Sequence, residues 1–242
     1  MNLVSTVSIT VGHPKILLGV SSVGRTTAFE AVCQWFEPTT PCQNCSAPNH
    51  QQIIMSNTFF ISDLHLGHMN ILCFTKPDGS ILRAHPSGGG FISIEEHDQF
   101  VIANINAVVR PRDRLIIVGD CVMNKKFLPK LTHINGLKTL VMGNHDPVDI
   151  NLYAGLFEKI AGALVISDFI VTHIPVHPNQ LEHRFKTNIH GHLHGHPVLD
   201  DIGNEDHRYV NVSVESLQYR PISLEDIKKS TLLPSLPKRD YA

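Results

Sequence analysis

A chain of 242 residues with 42% hydrophobic content can hold one large domain or two small ones and can bury a core. Its formal net charge of −2 gives no general attraction to nucleic acid or to an anionic membrane. It contains no apolar run of bilayer-spanning length and no basic-then-apolar signal layout, so the expected compartment is the cytosol.

Residues 1–54 lack sustained periodicity and hold Cys33, Cys42, Cys45 and the only tryptophan, Trp35. A zinc site from Cys33, Cys42, Cys45 and His50 matches no closed zinc spacing well. A non-native leader fits better. Trp35-Phe36-Glu37-Pro38 is encodable by codons containing a transfer-RNA T loop, and Val23-Gly24-Arg25 by a D loop, at the spacing of a tRNA gene. Cys42-Gln43 then falls where CCA ends such a gene. A disordered leader is the alternative. The expected organisation is a leader over 1–54, a true start at Met55, and one domain over 55–242.

Thr58–Ile61 reads as a short apolar strand, and Gly67–Phe74 as a short helix. Pro77–Gly90 is rich in Gly, Pro and Ser and reads as a loop. Ser93 and Glu96 have capping-box spacing and open a helix to about Val109, with Phe100, Ile102, Ile105 and Val109 on its apolar side. Leu115–Val118 is a second strand, followed by a helix around Lys125–His133. Leu137–Met142 is a third strand. Strands at Leu164–Ile166 and Phe169–Thr172, a run at Asn188–His190, a strand at Tyr209–Val214 and a helix at Leu224–Lys229 complete the order. The β-α-β-α-β alternation of the first half implies parallel strands with crossovers. The strand-rich second half is expected to be more antiparallel. The five cysteines are odd in number, so Cys73 and Cys121 are expected to remain thiols.

Chemistry-bearing residues sit just past these apolar runs: Asp63 and His65, Asp120, then Asn144, His145 and Asp146, then His173, then His192 and His194. Such positions converge on one edge of a parallel sheet, where open α/β folds bind ligands. Carboxylate, amide and imidazole donors together suit Mn²⁺, Fe²⁺, Zn²⁺ or Ni²⁺ better than Ca²⁺ or Mg²⁺. Two such ions about 3.5–4 Å apart can hold a bridging hydroxide and the oxygens of a phosphate for in-line attack. His145 is placed to protonate a leaving oxygen, and Asp146 to orient it. Each motif has a plain structural alternative: a turn at Gly119-Asp120, a loop at Gly143–Asp146, a core histidine at His173, a polar tract at His190–His196. Their joint occurrence in this order favours a metal centre. His190 and His196 are candidates for support around it. Arg184 and Lys186 are candidates for meeting a phosphate.

Together these motifs resemble the calcineurin-like metallophosphoesterases, whose pattern runs Asp-x-His, Gly-Asp, Gly-Asn-His-Asp/Glu, His, Gly-His-x-His. The phrase Ser62–Ile71, with Asn211–Val214 and Tyr219–Ile222, is similar to small bacterial and phage members. The resemblance implies an α/β fold, a four-layer α-β-β-α sandwich with two mixed central sheets. It implies one ion on Asp63, His65, Asp120 and His194, and another on Asp120, Asn144, His173 and His192, with His145 catalytic. Manganese is the leading metal. After Gly119-Asp120 the chain runs Cys121-Val122-Met123, without the Asp-Arg-Gly extension of protein Ser/Thr phosphatases.

The leading expectation is therefore a hydrolase of a phosphodiester in a nucleotide or related small molecule. The alternatives are a nuclease on DNA or RNA, a phosphomonoesterase or protein phosphatase, and a non-catalytic metal-stabilised interaction module. Charge does not support a nucleic-acid partner, and no membrane partner is expected.

Overall fold

Three of the apolar runs become neighbouring parallel strands. They are β1 (Thr58–Ile61), β2 (Arg114–Ile117) and β3 (Leu137–Val141), paired in register Phe59–Leu115–Lys138. The computed structural model describes residues 56–232. The expectations for residues 1–54, including the zinc alternative and the start at Met55, lie outside the described residues.

A fourth parallel strand, β4 (Lys159–Ala161), joins β3. With three residues it carries too little alternation to be read from sequence. A second sheet has β5 (Leu164–Ile166), β6 (Phe169–Val171), β7 (Thr187–His190) and β8 (Tyr209–Asn211) in that order. A last strand, β9 (Ile222–Ser223), returns antiparallel to β1 at the edge of the first sheet. The protein is thus a mixed α/β structure with two mixed sheets.

The expected antiparallel character of the second half is found only at β5 and β9. Within the second sheet β6, β7 and β8 are parallel, and β5 alone runs against its neighbour. The reason lies in the connections. Residues 172–186 and 191–208 are long enough for crossovers, whereas antiparallel neighbours are usually joined by tight hairpins.

Alternation along the strands divides the core. Phe59, Ile61, Leu115, Ile117 and Leu140 face one cluster with Val101, Ile105 and Val109. Phe60, Ile116, Val118 and Val141 face the other, with Phe169, Val171 and Ile189 of the second sheet. The first sheet is therefore covered on both faces, which is why its strands read as continuous apolar runs. The turn Pro178–Leu181, with Leu181 and Phe185 packed by Tyr209, forms a third small cluster against the second sheet.

The covering helix is α1 (Ile94–Val108). The Ser93 hydroxyl accepts from Glu96 N at 3.1 Å, and the Glu96 carboxylate accepts from Ile92 N at 2.7 Å. This closes the first turn much as a capping box does. Ser93→Ala is expected to lower stability by about 1 kcal/mol, read as a shift in urea midpoint at unchanged slope. The buried stripe is rotated from the expected one: Val101 is fully buried, while Phe100 and Ile102 are half-buried. His97 and Asp98 also lie on the buried face.

Two expected helices are 3₁₀ segments instead, Met69–Leu72 and Lys125–His133. The second contains Pro129, which has no N–H to donate to an α-helical ladder. The final helix, α2 (Leu224–Leu232), packs on β9 and β1 and buries Ile227 between the sheets.

Candidate metal centre

Every predicted site residue lies shortly beyond the C-terminal end of a parallel strand. Asp63 and His65 follow β1, Asp120 follows β2, and Asn144, His145 and Asp146 follow β3. His173 follows β6, and His192 and His194 follow β7. The two sheets therefore contribute to one place. Backbone bonds stitch the loops: Asp63 N donates to Gly119 O, His65 N to Asp120 O, and Gly191 N to His173 O.

Asp63, His65, Asp120, His192 and His194 all have positive φ, between 47° and 69°. Non-glycine residues rarely adopt that region, and its concentration here marks backbone bent to aim side chains inward. Two motif glycines are needed for close approach. A Cβ at Gly143 would collide with the Asp120 carboxylate and backbone, and one at Gly191 with Ser62 and the Asp63 carboxylate.

The donors cluster in two overlapping groups: Asp63, His65 and His194, and Asp63, Asp120 and His173. His65 Nε2 lies 3.6 Å from Asp120 Oδ2, His173 Nε2 lies 3.3 Å from the same oxygen, and His194 Nε2 lies 3.8 Å from Asp63 Oδ1. Two ligands each about 2.1 Å from one cation stand about 3.0–3.5 Å apart. Asn144 Oδ1 lies 3.0 Å from His173 Nε2 and 2.9 Å from His192 Nδ1. The seven predicted ligands are thus brought together.

Two histidines have their outer nitrogens already engaged. His173 Nδ1 faces the Val118 carbonyl at 2.8 Å, and His194 Nδ1 faces Glu215 Oε1 at 3.0 Å. With Nδ1 donating, each presents Nε2 to the centre, the usual arrangement of metal-bound imidazoles. His65 has no such partner. It is 2% exposed, and neither ring nitrogen meets a hydrogen-bonding group. Leaving a buried polar atom unpaired costs about 1–3 kcal/mol. A cation on this side would remove that cost, so the residues present fit a metal.

Burial, with the nearby Arg83 charge, pushes His65 down to about 2, so its ring is neutral and its approach to Asp120 is not an ion pair. Burial alone would raise the Asp120 carboxyl, but the hydrogen bond and charge of His173, with the His145 N–H, hold it at about 2. Burial would lower His173 and His194; Asp120 for the first and Glu215 for the second outweigh it and raise both. Asp63 is raised by burial against His194, His173 and Ser62. The carboxylates that favour a proton on His173 and on His194 favour a cation there too, whereas burial lowers His65 and His192.

His145 is exposed above the donors, its N–H donating to Asp120 Oδ1 at 2.9 Å and its ring centroid 5.7 Å from that of His65. Asp146 does not fill the expected role of orienting that ring. Its carboxylate accepts from Asp120 N, Cys121 N, Gly143 N and the Cys121 thiol, at 2.8–3.0 Å. It joins the loop after β2 to the loop after β3. Cys121 is correspondingly buried. His190 is buried with Nδ1 turned to the Gly191 carbonyl, and His196 is exposed. Arg184 lies over the Phe185 ring, and Lys186 is 4.0 Å from Asp168.

Sequence reasoning missed Arg83 and Glu215. Glu215 follows β8 just as the ligands follow their strands, and that position was its only signal. The hydrogen bond and charges of Arg83 and His194 outweigh its burial and hold it at about 2. Arg83 sits in the Gly/Pro/Ser-rich loop and is fully buried.

No protein-family profile matches the chain. It is similar to an uncharacterized protein of Methanocaldococcus jannaschii, 29% identical over 72% of this chain and 91% of that protein. It is also similar to the Gene 66 protein of Mycobacterium phage L5, 27% identical over 60% of this chain and 81% of that protein. Among solved structures, a protein of unknown function from Aquifex aeolicus has TM-score 0.50 and 23% identity, covering 72% of this chain and 98% of its own; this likeness is one of fold. A novel archaeal phosphodiesterase has TM-score 0.37 and 18% identity over 65% of this chain and 82% of its own, too distant to bear on activity.

Proposed function

We propose that this protein is a metal-dependent phosphoesterase of the calcineurin-like type, acting on a phosphodiester of a nucleotide or related small molecule. The observation that carries this is His65, buried with both ring nitrogens unpartnered among donors spaced for coordination. We assign Asp63, His65, Asp120 and His194 to one ion, and Asp120, Asn144, His173 and His192 to the other. Manganese is the metal proposed, and the four-layer sandwich is the frame proposed for the two sheets. When bound, such a pair of cations supplies a water acidic enough to lose its proton near neutral pH, and positive charge against the phosphate oxygens.

The chain's own groups do the rest. Asp120 Oδ2 lies between His65 of one group and His173 of the other, and Asp63 belongs to both groups. His145, on the exposed side, faces the substrate and gives a proton to the departing oxygen. Asp146 acts through the loops it joins and is a positioning residue. A cleft of about 360 Å³ beside His194, lined by Lys76, Asp78, His196 and Ser216, receives the remainder of the substrate. Among the described residues Cys73 and Cys121 form no disulfide, and we propose the cytosol as the compartment.

The test is hydrolysis of bis-p-nitrophenyl phosphate. Turnover is expected to vanish with chelator and to return with Mn²⁺. His145→Asn is expected to lower kcat about 10²–10⁴-fold while metal content stays at the wild-type level. A folded, metal-loaded wild type that cleaves neither diester nor monoester would instead favour a metal-stabilised interaction module.

A further inference from the structure

The two groups of donors are braced by different parts of the molecule. The Asp120 side is held by His145 N–H, by Asp146 and by the Val118 carbonyl. The side containing Asp63, His65 and His194 converges on one buried residue, Arg83.

Arg83 is 0% exposed and uses its whole guanidinium. Nε donates to Glu215 Oε1 at 2.6 Å, and that same oxygen faces His194 Nδ1 at 3.0 Å. Nη2 donates to the Asp63 carbonyl, and Nη1 lies 3.4 Å from the Leu64 carbonyl. These carbonyls belong to the turn in which Asp63 and His65 adopt positive φ. One side chain therefore fixes the backbone under two ligands and, through Glu215, the ring orientation of the third.

Nη1 also meets His97 Nε2 at 2.9 Å. A guanidinium has no lone pair to offer, so His97 Nε2 accepts and Nδ1 carries the proton. That proton is donated to Asp98 Oδ1 at 3.0 Å. Asp98 Oδ2 accepts from Gly67 N at 2.9 Å and from Lys130 Nζ. The chain of groups runs Lys130, Asp98, His97, Arg83, Glu215, His194, so each buried charge has an opposite partner. Such a chain is costly to break, because removing one member strands another in low dielectric. Neither Arg83 nor Glu215 belongs to the two groups of donors, and Glu215 also lines the cleft beside His194.

We propose that Arg83 and Glu215 are a positioning pair for one half of the metal centre, so that breaking the pair weakens one ion and spares the other. This rests on the metal-binding reading above. Loss of a partner that orients a metal-bound histidine costs about 10–100-fold in metal affinity. The Asp63–His65–His194 group rests on this pair at all three members, whereas the other group shares only Asp63 with it.

Purified full-length protein, Glu215→Gln and Arg83→Met are loaded with Mn²⁺ and dialysed. Metal per chain is then counted by mass spectrometry, and Mn²⁺ binding is followed by titration calorimetry. Electron paramagnetic resonance distinguishes a coupled pair of Mn²⁺ ions from a single one, and circular dichroism checks the fold. The expected result is two ions and a coupled signal in the wild type. In Glu215→Gln, one site should weaken about 10–100-fold, with an uncoupled six-line signal. Arg83→Met should show the same or a larger loss; if it does not fold, Glu215→Gln decides. A folded Glu215→Gln with both affinities unchanged, or both reduced alike, overturns the proposal. A wild type that takes up no Mn²⁺ overturns the metal-binding reading itself, and this proposal with it.

Discussion

Asp120→Asn is expected to reduce phosphodiester turnover at least about 10³-fold, equivalent to about 4 kcal/mol of barrier. The substitution isolates charge from shape. Asp120 has φ 53°, a region that asparagine tolerates and alanine does not favour. The amide oxygen can still accept from His145 N–H, as Asp120 Oδ1 does at 2.9 Å. What disappears is the anionic Oδ2, which lies 3.6 Å from His65 and 3.3 Å from His173. An amide oxygen binds one cation weakly and bridges two poorly, so metal content should fall together with turnover. Activity above about a tenth of wild type with two ions retained would show that Asp120 does not join the two sides, since one lost decade is only about 1.4 kcal/mol.

Asp146→Ala is expected to cost about 4 kcal/mol of folding stability, a large effect for one substitution. Three backbone N–H groups, of Asp120, Cys121 and Gly143, lose their acceptor at once. Asp120 and Cys121 are buried, so water does not readily replace the carboxylate. Asp146→Asn keeps one oxygen and should cost about half as much, because an amide NH₂ replaces the second acceptor. Urea unfolding in the presence of chelator separates this from metal-linked stability. A midpoint change worth less than about 1 kcal/mol would show that the two loops are held by something else.

These two residues also show how far the chain could be read before its fold was known. Asp120 was legible because a carboxylate directly after an apolar strand is displayed at a sheet edge whatever the rest of the molecule does. Asp146 was legible as important but not in its role. Its neighbour His145 suggested a side-chain partner, whereas its oxygens meet backbone N–H groups across the site, 25 and 26 residues away. Parallel pairing of β6 to β8 was misread because short apolar runs look alike in either direction. The lengths of the connections were the usable signal.

By itself, the order of residues determined the strands β1 to β3, the capped start of α1 and all seven candidate ligands. Each of these rests on local chemistry: alternation, a cap, or the turn at a strand end. Tertiary structure alone decided the meeting of the two sheets at one edge, the orientation of His194 and the contact between Arg83 and Glu215. Those two residues are 132 positions apart. A charged pair is stable in a dry interior only when packing delivers both partners together, and no neighbouring residue in the chain announces that.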